Sequence, residues 1–203
     1  MNINKLVRKI ATLIRGNIII GLFSELRILK YKFLSDCKRV SGRPNYNSPV
    51  LISGSGIVEF GNNVSLGVRK SPFFFNTYLH IEARSTSSTI SIGDNVWINN
   101  NSTLISDGSS ITIHDNVLIG YNFSMYDSDF HDLHPEKRLT GNPQIASVTI
   151  KRNVFIGSNV TILKGVEIGE NSIIASGSIV TKSIRANVIA GGNPCKVIRE
   201  IIF

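Results

Sequence analysis

Apolar residues recur at every sixth position near the end of the chain: Ile150, Ile156, Ile162, Ile168 and Ile174, with Val180 next in the series. A second series runs two residues earlier, through Val148, Val154, Val160, Val166, Ser172 and Ser178. An α-helix repeats about every 3.6 residues and a strand about every two, so this spacing belongs to neither. Each unit reads apolar, any, apolar, then three turn-prone residues, as in VFIGSN, VEIGEN and ITIHDN. The apolar-x-apolar step puts two side chains on one face of a short strand. Gly157, Gly165, Gly169, Gly177, Asn153, Asn159 and Asn171 fall where the chain must turn, and Gly and Asn tolerate positive φ. Three strands and three turns, roughly eighteen residues, close a triangular coil, and stacked coils make a parallel β-helix.

The same rhythm reaches further back. Ile90, Val96 and Ser102 mark three units, and Ile111, Val117 and Phe123 mark three more after a three-residue slip around Ser106 to Ser109. Ile52, Val58 and Val64 fit an earlier coil, while residues 68–89 break the period. The pattern predicts an all-β domain over residues 45–203, of five or six coils. An antiparallel β-sandwich also uses Val-x-Ile strands, but its spacing is less even.

Residues 1–44 read differently. Leu6, Ile10, Leu13 and Ile14 recur at helical spacing with Arg8, Lys9 and Arg15 between them, which predicts a mostly helical arm. The arm holds ten Lys and Arg against Glu25 and Asp36, a net +8, whereas residues 45–203 hold twelve of each sign. The whole formal charge of the chain therefore sits in the arm. Its longest uncharged run, Gly16 to Ser24, is nine residues, and a membrane span needs about 20. No small-x-small cleavage site follows that run. Two readings of the arm remain: it packs across the coil end or another subunit, or it lies on an anionic inner-membrane surface. Nucleic acid is disfavoured, because the neutral coil domain offers no basic platform. Cys37 and Cys195 suggest no disulfide framework and suit a reducing cytoplasm.

The coil rhythm stops after Phe123 and resumes at Val148, leaving an inserted loop over residues 124–147. Long insertions in a solenoid project from one face and often carry function. Two of the four histidines, His131 and His134, lie here, among Asp127, Asp129 and Asp132. His80 and His114 read as structural, with His114 at a solvent-facing corner. The γ-class carbonic anhydrases, which the chain resembles in fold, bind zinc through ligands five residues apart on one coil; Ile119 stands five residues after His114, so no metal is expected.

The runs NVLIGYNFSMYDSDFHDLHP and NVFIGSNVTILKGVEIGENSIIASGSIVTKSIRANVIAGGNPCKVIREI resemble the hexapeptide-repeat acetyltransferases. The likeness spans about residues 90–201, and it is to the branch that includes galactoside, maltose and surface-polysaccharide O-acetyltransferases. The resemblance implies a left-handed β-helix, acetyl-CoA as acyl donor, a saccharide acceptor and a homotrimer with sites between subunits. The step Asp129-Phe130-His131 matches the family's loop position, which makes His131 the general base beside Asp129, with His134 the runner-up. An imidazole titrates near neutral pH and can take the proton of an attacking hydroxyl while its other nitrogen is held by a carboxylate or a backbone carbonyl. The resemblance assigns the pantetheine arm to Ser158, Ser176, Gly177 and Thr181, and the phosphates to Lys182, Lys196 and Arg199. It assigns the acceptor to Trp97, Asn99 and Asp107. Phe155 stands where the family often has Trp. Amino-sugar N-acetylation is the alternative reaction, and a non-catalytic β-helix scaffold the alternative class.

Overall fold

Three parallel sheets form the walls of a left-handed β-helix, and the chain visits them in rotation until its closing strand. The structure is a computed structural model that describes residues 3–203, with side chains from residue 18 onward. Leu6, Ile10, Leu13 and Ile14, and the cations Lys5, Arg8, Lys9 and Arg15, lie outside the described side chains.

The first wall stacks Arg39–Ser41, Ile57–Phe60, Thr89–Ile92, Ser110–Ile113, Val148–Ile150 and Glu167–Ile168. The second runs from Asn45–Tyr46 through Ser65–Leu66, Trp97–Ile98, Leu118–Ile119, Phe155–Ile156 and Ile173–Ile174 to Val188–Gly191. The antiparallel strand Lys196–Glu200 closes its end. The third stacks Val50–Ser53, Leu79–Ala83, Thr103–Ser106, Ser124–Tyr126, Thr161–Ile162 and Ile179–Val180. Arg39–Ser41 already pairs with Ile57–Glu59, so the first coil takes up the last residues of the basic segment.

The period-six positions stack in register. Val58 faces Ile90, Ile90 faces Ile111, and Ile111 faces Val148, all with no exposed surface. Burying each such side chain is worth about 1.5–3 kcal/mol. Ser172 and Ser178 occupy core positions, and their hydroxyls are satisfied by backbone: Ser172 Oγ donates to Arg185 O at 2.8 Å and Ser178 Oγ to Ala175 O at 2.5 Å.

The corners explain the asparagines. At the first corner, between walls one and two, Asn63, Asn95, Asn116, Asn153, Asn171 and Asn187 all adopt φ between 55° and 60°. That left-handed conformation is cheaper for Asn than for other residues bearing a Cβ. Their side chains also form ladders: Asn153 donates to Asn171 at 3.1 Å and Asn171 to Asn187 at 2.8 Å. The second corner repeats the device, Asn101 to Asn122 and Asn122 to Asn159, both at 2.8 Å.

The break at residues 68–89 is two insertions. One, between Leu66 and Leu79, bulges from the second corner and is fixed by Asn100, which is 1% exposed. Asn100 Nδ2 donates to Val68 O at 2.9 Å and Pro72 O at 3.0 Å, and its Oδ1 accepts from Val68 N and Ser48 Oγ. The other lengthens the third corner between Ala83 and Thr89.

The bulge in turn holds the N-terminal helix, Ile3–Leu34. Arg27 donates to Phe74 O at 2.6 Å and to Thr77 O, Tyr31 stacks on Tyr78 at 4.5 Å, and Ile28 and Ser24 are buried. Burial lowers the Arg27 pKa from its usual value, with Tyr31 opposing.

Candidate active site

The inserted loop leaves wall three after Tyr126 and rejoins wall one at Val148, so it springs from the third corner. Its root is Asp127, a carboxylate with no exposed surface. Asp127 Oδ1 accepts from Asp107 N at 2.7 Å, and Oδ2 from Ser106 Oγ at 2.6 Å and Ser109 N at 3.1 Å. It therefore ties the loop to the corner turn of the preceding coil. The two strands of the loop meet where Ser128 bridges Ile145 and where Asp129 N donates to Gln144 O at 3.0 Å.

Phe130 carries the backbone through φ 61°, unfavourable for an aromatic residue by about 1–2 kcal/mol. Its surroundings compensate. Its N–H donates to Ser128 Oγ at 2.9 Å, its ring meets Tyr126 edge-on at 5.5 Å, and the Arg84 guanidinium lies 5.0 Å from its ring centroid. Arg84 is itself fixed by both Glu82 carboxylate oxygens, at 3.0 and 3.1 Å, and by Asp107 Oδ2 at 3.1 Å. The Glu82 hydrogen bond, ahead of the smaller effect of burial, raises the Arg84 pKa.

This kink sets up His131. Its Nδ1 lies 3.0 Å from the carbonyl oxygen of Arg138. A carbonyl has no proton to give, so the contact requires hydrogen on Nδ1 and leaves the Nε2 lone pair as the basic site. The backbone carbonyl is thus what orients the ring. Asp129 does not; its Oδ2 is buried without a hydrogen bond and lies 3.4 Å from Lys164 Nζ, on the next coil. His134 is exposed, and its backbone N–H donates to Asp132 Oδ1 at 2.8 Å, opening the short 3-10 turn Pro135–Lys137.

The remaining expected site residues fall into two groups. Asp107, Asp129, His131, Thr181 and Lys182 belong to the third corner. Asn99, Ser158, Ser176 and Gly177 line the second corner, with Trp97 on the adjoining outer face of wall two. Ser158 N donates to Ser176 Oγ at 3.1 Å, and Gly177 N to Ser158 O at 2.9 Å. Asn99 Oδ1 already accepts from Asn100 N at 2.7 Å. Lys196 and Arg199 lie on the exposed closing strand. Wall three separates the two corners, so a single chain does not gather these residues into one pocket.

Residues 147–182 match the family model described as bacterial transferase hexapeptide (six repeats). In these residues the chain is similar to the hexapeptide-repeat transferases. It is 49% identical over 117 residues to galactoside O-acetyltransferase of Escherichia coli strain K12, covering 58% of this chain and 57% of that protein. It spans little more than half the length of the curated relatives it matches, from 53% to 57% for three of them. A hexapeptide-repeat acetyltransferase of Vibrio cholerae O1 biovar eltor, solved with acetyl coenzyme A, is 29% identical with TM-score 0.53, over 76% of this chain and 72% of that one. The polySia-specific acetyltransferase NeuO is 28% identical with TM-score 0.56, over 81% and 77%.

Several parts of the site carry no signal in the sequence. The Arg138 carbonyl is one. Glu82 and Arg84, from one coil, and Lys164, from another, are others, brought to the loop only by stacking. Asp127 was visible as a neighbour of the histidines, but nothing marked it as the buried anchor.

Proposed function

We propose that the chain is an acetyl-CoA-dependent O-acetyltransferase that modifies a sugar hydroxyl of a surface polysaccharide or its precursor. The observation that carries this reading is His131, on an exposed loop of a transferase coil, with Nδ1 bound to a carbonyl and Nε2 free to accept a proton. The galactoside O-acetyltransferase relative and the acetyl-CoA-bound neighbour support the acceptor class and the donor. The polySia-specific neighbour supports a polymeric glycan.

In this reaction the acceptor oxygen attacks the thioester carbonyl carbon while His131 Nε2 takes its proton. The Arg138 carbonyl stabilises the imidazolium so formed through Nδ1–H. The tetrahedral intermediate then collapses, the C–S bond breaks, and the proton passes from Nε2 to the departing sulfur. Holding both substrates together supplies much of the rate. No covalent acyl-enzyme enters this scheme. Cys195 is buried, and burial pushes its thiol pKa up, ahead of a smaller opposing hydrogen bond with Ser178. Backbone around Ser158, Ser176, Gly177 and Thr181 holds pantetheine, and Lys182, Lys196 and Arg199 meet the phosphates. Trp97, Asn99 and Asp107 face the acceptor. Free thiols at Cys37 and Cys195 suit a cytoplasmic setting.

The division of these residues between two corners supports a homotrimer in which the third corner of one copy meets the second corner of the next. Trp97, Leu118 and Phe155 stand in register on the outer face of wall two, each between 43% and 49% exposed, and suit burial there. The double substitution Leu118→Arg, Phe155→Arg is expected to reduce the mass in sedimentation equilibrium to about one third, because unpaired buried charge is costly. A wild-type monomer at micromolar concentration contradicts the trimer.

The reaction is tested by incubating the protein with acetyl-CoA and a panel of sugars, read by mass spectrometry. A mass gain of one acetyl group that is lost on mild alkaline treatment marks an ester. A gain only on amino sugars, stable to base, assigns N-acetylation instead, and no gain on any acceptor refutes the reading.

A further inference from the structure

The N-terminal helix turns its apolar side away from its own domain. Ile18, Leu22, Leu26, Leu29 and Phe33 follow the three- and four-residue spacing of one helix face, with Ile19 and Phe23 beside them. All seven are between 50% and 89% exposed. The opposite side, through Ser24, Arg27, Ile28 and Tyr31, is the one that docks on the coil and the Asn100-anchored bulge. A soluble domain ordinarily faces such a stripe inward.

Charge completes the pattern. Across its full length the helix carries seven Lys and Arg and one acid, Glu25. Alongside it, a groove of about 360 Å³ is lined by Ile20, Gly21, Phe74 and Phe75 together with Arg69 and Lys70. Neither cation forms an ion pair with a described acid. Exposed apolar side chains bordered by unpaired cations match acyl chains lying beneath anionic headgroups. A second copy of the same helix is a poorer match, because each copy brings the net +8 of residues 1–44 and the two repel.

We infer that this helix and the Arg69–Lys70 groove form a docking surface for an anionic phospholipid membrane. The helix lies in the interfacial plane with its exposed stripe among the acyl chains, and Arg69 and Lys70 meet lipid phosphates. No helix among the described residues is long and apolar enough to cross a membrane, so the contact is peripheral. The inference does not rest on acetyl transfer, and its test reads binding alone.

The full chain is centrifuged with vesicles of phosphatidylcholine alone, or of phosphatidylcholine with an equal part of phosphatidylglycerol. It is expected to pellet with the anionic vesicles at least about tenfold more strongly, and to be released by added salt. The triple variant Leu22→Ser, Leu26→Ser, Phe33→Ser is expected to lose that binding, and Arg69→Ser with Lys70→Ser to weaken it about 25-fold, roughly fivefold per cation. These side chains are exposed, so the variants should keep the wild-type melting midpoint. Should the triple variant fail to fold, Leu26→Trp with brominated lipid provides the second measurement, since a seated helix gives fluorescence quenching that the parent lacks. The inference is overturned if the parent ignores anionic vesicles at low salt, or if the variants bind as well as the parent. It is also overturned if the triple variant changes the oligomeric state while vesicle binding persists, which would make the stripe an interface between copies.

Discussion

Replacing His131 by Ala is expected to lower turnover by about 10²–10⁴-fold, the usual worth of a positioned general base. Coenzyme A binding should persist, because the residues assigned to the cofactor lie on strands and corners that the imidazole does not support. Two companion variants sharpen the assignment. His134→Ala should do far less, since that residue holds the loop through its backbone N–H, which the substitution keeps. Arg138→Ala should leave turnover within about twofold, as an exposed substitution usually does, because the group that orients His131 is the Arg138 carbonyl and not its guanidinium. Initial rates with saturating acetyl-CoA read all three. Loss of activity in His134→Ala with retention in His131→Ala would move the base to the other histidine.

Asp127→Ala is expected to be the most damaging substitution for the fold near the site. The change removes a fully buried carboxylate and strands the Ser106 hydroxyl and the N–H groups of Asp107 and Ser109. Leaving such partners unpaired costs about 3–5 kcal/mol. At about 2–4 °C per kcal/mol for a domain of this size, the melting midpoint should fall by about 6–20 °C. Activity should fall too, because the carboxylate joins the root of the loop to the preceding coil. Asp107→Ala gives the contrast: it breaks only the partly exposed pair with Arg84, worth about 1 kcal/mol or less. Differential scanning calorimetry separates the two, and an Asp127→Ala midpoint equal to that of the parent would remove Asp127 from its anchoring role.

The period of six was enough to specify the β-helix, because its signal is local and repeats. Each Ile or Val two residues apart faces one core, and each Asn or Gly marks a corner, so Ile90, Ile111 and Val148 could each be assigned to a repeat unit, while their stacking in one wall is a finding of the structure. The loop was legible for the complementary reason: it is where the repeat stops. His131 stood out as a residue type able to take a proton at neutral pH on an insertion that the coil does not need. Its orientation was hidden, because the partner is a backbone carbonyl, and every residue has one. The three aspartates before and after it look alike in the sequence, and only burial separates Asp127, the anchor, from Asp129 beside Lys164. Arg84 reaches the loop from two coils before it and Lys164 from the coil after it, and Asn100 reaches the bulge from the second corner of the next coil. Those contacts depend on how two insertions shift the register of stacking, which no local pattern encodes. The helix shows the same division. Composition announced a basic, apolar arm, but which side it buries was decided by Arg27, Ile28 and Tyr31 meeting a bulge some fifty residues away, and that contact left the apolar stripe outward.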